Sequence, residues 1–157
     1  MRIGHGYDVH RYDESRPFIL GGINIPSFAG LAGHSDADVL LHAIMDALLG
    51  AAGLRDIGYY FPPTDEAFLN ADSAGLARRV LSLVKENGYR IINIDSTVIA
   101  QKPKLSPYID EIKNSLSEIF ELSVSDVNVK ATTEEGLGFT GELRGIAAHA
   151  VCLIESI

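Results

Sequence analysis

Apolar and polar residues along the chain follow two different periods, which predicts a protein built from both strands and helices. The segments RIGHGYDVHRY, FILGG and INIP are typical of short strands, and the consecutive Gly21 and Gly22 indicate a tight turn between the last two. RIINIDSTVIA, VNVKATT and GIAAHAVCLIESI predict three more strands. Because the last of them is apolar on both faces, we expect it to occupy a central position in a sheet.

The segment VLLHAIMDALLGAAG predicts the first long helix. It is apolar nearly all round and has no run of β-branched residues, which favours a helix buried on several sides. Ser35 followed by Asp38 resembles a capping box at its start, and Gly53 marks its expected end. Residues 72–88 predict a second, amphipathic helix that also ends in glycine.

Ser106 and Pro107 indicate the start of a third helix. Its apolar stripe consists of Ile109, Ile112, Leu116, Ile119 and Phe120. Helices and strands are therefore interleaved along the chain, and the simplest architecture is an α/β or α+β sandwich with helices on one side of a sheet. Because no repeat or linker divides the 157 residues, we expect one domain spanning residues 1–157.

Charge and cysteine content narrow the classes of function. A formal net charge of −8 argues against a non-specific hold on nucleic acid or on an anionic membrane, which requires clustered lysine and arginine. The single cysteine, Cys152, leaves no framework for disulfides, so we expect a reduced, cytoplasmic environment. We expect neither secretion nor membrane insertion, because the N-terminus lacks a basic, apolar leader and no run approaches ~20 apolar residues.

A metal site is the first candidate for chemistry. Residues two apart in a strand project to one face, so Asp8 and His10 converge, and both are zinc-ligand types. In the first long helix, Asp38, His42 and Asp46 form one polar stripe on an otherwise apolar surface. Ligation by Asp8, His10 and His42 would leave one coordination position open, as in catalytic zinc sites, with Asp38 or Asp46 orienting His42. The alternative is a hydrogen-bonded buried pair or a surface coincidence.

Three further stretches contain candidate binding residues. His34 and Ser35 precede a helix N-terminus, which attracts anions, although a simple cap with an exposed histidine is the alternative. RDIGYYFPPTDEAF is a long connection in which Asp56 and Asp65 either line a pocket or are solvated turn acids. KATTEEGLGFTG can offer backbone N–H and threonine hydroxyl groups to a phosphate, while one of its glutamates holds a hard cation.

In order and spacing these stretches resemble one family, the 2-C-methyl-D-erythritol 2,4-cyclodiphosphate synthases. The matching segments are RIGHGYDVH, GHSDADVLLHAIMDALLGAAG, DIGYYFPPTD, ADS, IAQKPKL and VNVKATTEEGLGFTG, and they run from Met1 to the C-terminal strand. The resemblance implies an α+β fold, a single-domain sandwich of a mixed β-sheet with helices on one face. It also implies a homotrimer whose sheets face the three-fold axis.

The resemblance implies a metal centre and two further functional groups. Asp8, His10 and His42 match the family's zinc ligands. Another divalent transition metal can take the place of zinc in this family, and a substrate phosphate fills the fourth coordination position. His34 and Thr133 match positions that stabilise the transition state. A second metal, magnesium or manganese, accompanies the substrate in this family.

The resemblance also implies a set of substrate contacts. The DIG segment matches the region that binds the methylerythritol hydroxyls, and residues 61–65 match a loop that covers the substrate. Residues 100–105 match the segment that recognises cytidine, called here the cytidine segment. Thr132 matches a diphosphate contact, and Glu135 matches the ligand of the second metal. The expected substrate-binding residues are Asp8, His10, His34, Ser35, Asp56, Ile57, Gly58, Phe61, Asp65, Ala100, Pro103, Lys104, Leu105, Ser106, Thr132, Thr133, Glu135 and Phe139.

The reaction implied by the resemblance needs no protein nucleophile. The substrate, 4-diphosphocytidyl-2-C-methylerythritol 2-phosphate, carries its own, since the 2-phosphate attacks the β-phosphorus and CMP departs. The protein has to fold the substrate back on itself and offset its charge, for which two metals and a histidine suit an acidic chain. In this family each active site lies between subunits, with zinc from one chain and the cytidine pocket from its neighbour.

One departure from the family concerns the residues after GFTG. The family commonly has an arginine there and a glutamate two residues later, whereas this chain has Glu142 and Arg144. In related trimers that arginine faces the axial cavity and can hold an isoprenoid diphosphate. We therefore expect weak or no binding of farnesyl diphosphate in isothermal titration calorimetry, and a sub-micromolar dissociation constant would refute this expectation.

Overall fold

The computed structural model describes the backbone of residues 1–157 and all side chains except that at position 67. The elements are, in chain order, β1 (Arg2–Asp13), β2 (Ile19–Leu20), β3 (Ile23–Asn24), β4 (Gly30–Leu31), α1 (Val39–Ala52), α2 (Ile57–Tyr60), α3 (Ser73–Glu86), β5 (Tyr89–Ile99), α4 (Ile109–Phe120), β6 (Val127–Thr132), α5 (Gly138–Gly141) and β7 (Gly145–Ser156). Single 3-10 turns lie at Glu66–Phe68, Ser106–Tyr108 and Val124–Asp126.

The main sheet is mixed and has the strand order β4-β1-β7-β5-β6. Strand β7 pairs antiparallel with both β1 and β5, and β6 pairs parallel with β5. The predicted central position of the last strand is therefore confirmed. An apolar strand suggests burial on both faces, but from His149 onward buried and exposed residues alternate in β7. Within a single chain, therefore, only one face of the sheet is covered.

Helices α1, α3 and α4 cover one face of this sheet, which confirms the expected α+β sandwich. Helix α1 lies directly on β1, where Gly4 and Gly6 permit a very close approach. A Cβ atom at Gly6 would lie 1.9 Å from the backbone oxygen of Ala43. The absence of side chains at these two strand positions sets the height of α1 above β1, and with it the position of the neighbouring His42.

The ends of α1 agree only in part with the sequence prediction. Gly53 ends the helix in the left-handed conformation, with a φ of 76°, as expected. At the start, the N-cap is Asp38, which accepts a hydrogen bond from the backbone N–H of Leu41, and not Ser35. The predicted capping box is wrong because the Ser35 hydroxyl faces the backbone N–H of Ala37 and the ring of His42 instead.

The other predicted elements are present with small shifts. Strands β2 and β3 form a two-residue hairpin at Gly21 and Gly22, both with positive φ, as glycine permits. The second predicted helix is α3, capped by Asp72. The third begins with the 3-10 turn at Ser106–Tyr108 before it continues as α4.

The face of the sheet away from the helices carries apolar and histidine side chains. Ile3 is 74% exposed and Val151 is 42% exposed, although both lie in the two longest strands. The rings of His5 and His149 are in contact, with Nε2 of the former 3.1 Å from Nδ1 of the latter. We call this surface the outer sheet face, formed by Ile3, His5, Tyr7, Val9, His149 and Val151. Among the described residues, no helix has the length and apolar character needed to cross a membrane.

Candidate metal centre and its cavities

Asp8, His10 and His42 come together at one point, where β1 meets α1. Oδ2 of Asp8 lies 2.8 Å from Nε2 of His10 and 3.0 Å from Nδ1 of His42. The two histidine nitrogens are 3.1 Å apart. Ligand atoms of a tetrahedral zinc site are ~3.3 Å apart, since each lies about 2.0–2.1 Å from the ion. The three atoms thus form a triangle of the size that a divalent metal requires.

The rings of both histidines are oriented by partners outside this triangle. Nδ1 of His10 lies 2.7 Å from the carbonyl oxygen of Ala32, to which it donates in the tautomer that leaves Nε2 free to bind a metal. Nε2 of His42 lies 3.0 Å from Oγ of Ser73, and that hydroxyl donates to Oδ1 of Asp36. Nε2 of His42 also lies 3.2 Å from Oγ of Ser35. Each histidine therefore presents one nitrogen to the centre and is held by the other.

The hypothesis that Asp38 or Asp46 orients His42 is wrong. Asp38 accepts hydrogen bonds from the backbone N–H groups of Gly21, Gly22 and Leu41, and so joins α1 to the β2–β3 hairpin. Asp46 accepts from the backbone N–H of Ile57 and so joins α1 to α2. Both carboxylates belong to the predicted polar stripe, but Asp38 at the N-cap and Asp46 in the middle of the helix accept hydrogen bonds from backbone N–H groups.

The electrostatics of the trio favour an ionised carboxylate between imidazoles. Burial by itself would raise the pKa of Asp8, but hydrogen bonds and charge interactions with His10 and His42 outweigh it and lower the pKa from 3.8 to about 2. For His10, burial acts to lower the pKa, and the hydrogen bond and charge of Asp8 raise it above 6.5. A metal ion bound by these three residues would take the place of the proton in the hydrogen bond between Asp8 and His10.

Two members of the trio, His10 and His42, line a cavity of about 270 Å³. Five of the predicted site residues line it beside His10 and His42, namely His34, Ser35, Ile57, Gly58 and Phe61. Pro63, within the predicted covering loop of residues 61–65, also lines it, whereas sequence reasoning missed Met45, Phe68 and Leu76 in the apolar part of the wall. Nothing in the pattern could separate these side chains from ordinary core residues. The cavity offers a polar end at the metal ligands and an apolar body.

Two predicted acids in the long connection, Asp56 and Asp65, are not among the residues that line this cavity, although each adjoins one that is. Asp56 caps α2, and its Oδ1 accepts from the backbone N–H of Tyr59 at 2.9 Å. The carbonyl oxygen of Asp65 lies 3.3 Å from Nε2 of His34. The connection is thus ordered by two short helical turns and by contact with the segment that carries His34.

A second cavity, of about 400 Å³, lies at the ends of the parallel strands β5 and β6. It contains most of the predicted cytidine and diphosphate residues, and its lining is Ala100, Gln101, Pro103, Lys104, Leu105, Ser106, Ala131, Thr132 and Thr133. Glu135 adjoins it, because Oγ1 of Thr133 donates to its Oε1 at 3.1 Å. Among the described residues the two cavities share no lining residue. A single chain therefore presents the two halves of the predicted site separately.

Phe139 belongs to neither of these cavities. It lines a cavity of about 430 Å³ with Val9, Tyr12 and Arg144, at the edge of the outer sheet face. Nη1 of Arg144 lies 3.9 Å from Oε2 of Glu142, and both side chains are largely exposed. The exchanged acid and base thus stand beside one another at this edge.

Replacing Ser73 with alanine should weaken metal binding by roughly 10- to 100-fold, because the His42 ring loses the hydroxyl that holds its outer nitrogen. The measurement is a competition with a chromogenic chelator. The matched control is Ser82→Ala in the same helix, whose hydroxyl bonds only to the carbonyl of Arg78 among the contacts described. Equal affinities of the Ser73 variant, the control and the unchanged chain would contradict this role.

The fold and the trio define an α+β protein with a centre for a divalent metal that adjoins a cavity. A sequence model of the YgbB family matches residues 1–155. The 2-C-methyl-D-erythritol 2,4-cyclodiphosphate synthase of Clostridioides difficile (strain 630) is 54% identical over 154 residues, which are 98% of this chain and 96% of that protein. The chain belongs to the YgbB family, the family of the 2-C-methyl-D-erythritol 2,4-cyclodiphosphate synthases.

Solved structures agree with this assignment. The bifunctional IspDF from Campylobacter jejuni superposes with a TM-score of 0.96 at 42% identity, over 99% of this chain and 42% of that one. This chain therefore spans less than half the length of that bifunctional protein. A 2C-methyl-D-erythritol-2,4-cyclodiphosphate synthase in a CDP-bound form superposes with a TM-score of 0.90 at 37% identity, over 98% of this chain and 100% of that one.

Proposed function

We propose that this chain converts 4-diphosphocytidyl-2-C-methyl-D-erythritol 2-phosphate into 2-C-methyl-D-erythritol 2,4-cyclodiphosphate and CMP, as a lyase of non-mevalonate isoprenoid biosynthesis. The observation that carries the proposal is the triangle of Asp8 Oδ2, His10 Nε2 and His42 Nδ1, with sides of 2.8, 3.0 and 3.1 Å, at the end of a cavity. The relatives' names and their identity over nearly the whole chain support the substrate.

In the proposed reaction the substrate supplies both the attacking and the leaving group. An oxygen of the 2-phosphate forms a bond to the β-phosphorus, and the bond from that phosphorus to the oxygen of CMP breaks. The chain's task is to hold the two phosphates in contact, and correct placement of reacting groups yields large effective concentrations. His34, at the cavity wall, and Thr133, in the second cavity, are proposed to donate hydrogen bonds to the charge that develops on the phosphoryl oxygens.

The residues of the trio fit zinc or another divalent transition metal, because two imidazoles and a carboxylate leave a coordination position for a phosphoryl oxygen. When bound, such an ion supplies Lewis acidity toward the β-phosphate. Glu135 is proposed to hold magnesium or manganese together with the diphosphate, since exposed carboxylate oxygens suit hard cations. Its hydrogen bond with Thr133 places it beside the proposed diphosphate contacts.

The separate cavities support a proposal of shared active sites in a homotrimer. The metal cavity holds the DIG residues, whereas the cavity with Lys104 holds the cytidine segment, and one substrate must reach both. The outer sheet face supports this assembly, because an apolar patch around Tyr7 and Val9 on a monomer indicates a contact surface. We propose that residues 1–157 form one domain of that trimer and, from the lone buried Cys152, that it works in the cytoplasm. From the net charge of −8 we propose that it has no nucleic-acid or membrane partners.

Product analysis tests the proposed function. Purified protein loaded with zinc and magnesium is incubated with the cytidyl substrate, and products are followed by phosphorus NMR. We expect the cyclic diphosphate and CMP in equal amounts, with no inorganic phosphate. A zinc phosphoesterase would instead place a water for attack and release inorganic phosphate, and that result would overturn the proposal.

A further inference from the structure

Arg16 lies three residues beyond the end of β1, the strand that carries the metal ligands Asp8 and His10. After β1, Oδ1 of Asp13 accepts hydrogen bonds from the backbone N–H and the hydroxyl of Ser15, at 2.9 and 2.6 Å, and this turn presents Arg16. The following backbone is tightly packed, since a Cβ at Gly30 would lie 2.1 Å from the carbonyl oxygen of Pro17. The position of Arg16 relative to the metal centre is therefore set by backbone contacts on both sides.

The guanidinium group of Arg16 binds the backbone carbonyls of the two residues that flank His34. Nη1 donates to the carbonyl oxygen of Gly33 at 2.5 Å, and Nη2 donates to the carbonyl oxygen of Ser35. One planar, charged group thus holds the carbonyls on either side of a proposed catalytic residue. Because the fork of arginine is rigid, two such bonds fix the orientation of the intervening peptides as well as their distance.

Residues 32–35 are also the segment on which the orientation of both metal-ligating rings depends. The carbonyl oxygen of Ala32 lies 2.7 Å from Nδ1 of His10, and the hydroxyl of Ser35 lies 3.2 Å from Nε2 of His42. Gly33 packs against the imidazole of His10, where an added Cβ would lie 3.1 Å from Cε1. A shift of this segment would therefore move His34 and disturb both rings at once.

We propose that Arg16 is a positioning residue that fixes residues 32–35 and thereby preorganises His10, His42 and His34. Among the described contacts Arg16 has no hydrogen bond to a metal ligand and is not itself a lining residue, and it acts through the backbone carbonyls of Gly33 and of the lining residue Ser35. The part of the proposal that concerns turnover rests on the proposed function. The part that concerns metal affinity does not.

The experiment compares Arg16→Ala and Arg16→Lys with the unchanged chain. Metal affinity is measured by chelator competition, and kcat and KM are measured with the cytidyl substrate. For Arg16→Ala we expect metal affinity to fall about tenfold and kcat to fall about tenfold or more, with KM within about twofold. Lysine should restore only part of each loss, because one ammonium cannot reproduce the planar fork. The matched control is Arg79→Ala, a surface arginine paired with Glu86, for which no change is expected.

Added guanidinium separates positioning from a general structural role. At millimolar concentration it should restore part of the metal affinity and of kcat in Arg16→Ala, and it should leave Arg16→Lys and Arg79→Ala unchanged. The proposal is overturned if Arg16→Ala keeps full metal affinity and kcat, whether or not its melting temperature falls. It is also overturned if added guanidinium restores neither the metal affinity nor the kcat of Arg16→Ala. If the unchanged chain has no turnover with the cytidyl substrate, the proposed function fails, and the metal-affinity measurements still decide the role of Arg16.

Discussion

Replacing Asp8 with alanine should abolish turnover, with a loss of at least about 10³-fold, because Lewis-acid catalysis supplies several kcal/mol and each 1.36 kcal/mol is a factor of ten. Oδ2 of Asp8 lies within 3.0 Å of the facing nitrogens of both His10 and His42, so this carboxylate completes the triangle. Without it, only the two imidazoles remain, which provide neither the third ligand nor a negative charge to offset that of the ion.

The same variant should still bind CMP, since the cavity that contains Lys104 and Thr132 does not include Asp8. Turnover is measured by CMP release and binding by calorimetry. Asp126→Ala, which removes an exposed carboxylate from the turn before β6, serves as a control of unchanged activity. Near-normal turnover of the Asp8 variant would place the chemistry elsewhere, and loss of CMP binding would show that the variant disturbs more than the metal centre.

Replacing Gly6 with alanine should destabilise the fold by about 3 kcal/mol or more, because the new methyl group meets backbone that no rotamer change can move. Its Cβ would lie 1.9 Å from the carbonyl oxygen of Ala43 and 2.7 Å from the backbone nitrogen of Ala47. Helix α1 would have to move away from β1, and His42 would move away from Asp8 and His10 with it. Metal affinity should therefore fall together with the free energy of unfolding measured in urea.

Gly50→Ala is the matched control for this prediction, because it makes the same chemical change on the facing helix. A Cβ at Gly50 meets no atom within 4 Å, so alanine should raise the free energy of unfolding by about 0.5–1 kcal/mol through its better helix propensity. Opposite signs for the two substitutions would confirm that β1 and α1 are in backbone contact at Gly6. Equal effects of the two substitutions would contradict that account.

Much of the fold follows from the periodicity of the sequence, and so does the core of the site. The segment that forms α1 combines apolar residues on nearly all sides with Gly53 at its end, and the helix ends there as predicted, although its N-cap is Asp38 and not Ser35. Asp8 and His10 lie two apart in a long strand, which places them on one face whatever the sheet order. The convergence of Asp8 and His10 was therefore recognisable from local structure, whereas the addition of His42 depends on the packing of α1 on β1 and was implied by the family resemblance.

The partners of those ligands could not be predicted in the same way, because they come from distant segments. Periodicity along α1 suggested acids one turn away from His42, whereas the ring is bonded to Ser73, which lies 31 residues further along the chain. That contact depends on how α3 packs beside α1, and a single-sequence pattern holds no information about it. The same is true of Arg16, whose two carbonyl acceptors lie 17 and 19 residues away.

The burial of β7 shows a third limit of sequence reasoning. An apolar strand indicates cover on both faces, but within one chain the outer sheet face leaves Val151 and His149 exposed. An apolar face of a strand can be buried in an oligomer, where a second chain covers it just as a helix of the same chain would. The apolar strand is thus consistent with the proposed homotrimer.

The central claim is that Asp8, His10 and His42 hold one divalent metal and leave a coordination position for a phosphoryl oxygen. The most direct measurement is anomalous diffraction at the zinc edge from crystals grown with zinc and CDP. We predict one peak per chain, about 2.0–2.2 Å from Oδ2 of Asp8, Nε2 of His10 and Nδ1 of His42, with any fourth ligand coming from solvent or a phosphate. A peak at other residues, or a fourth protein ligand that closes the site, would contradict the account.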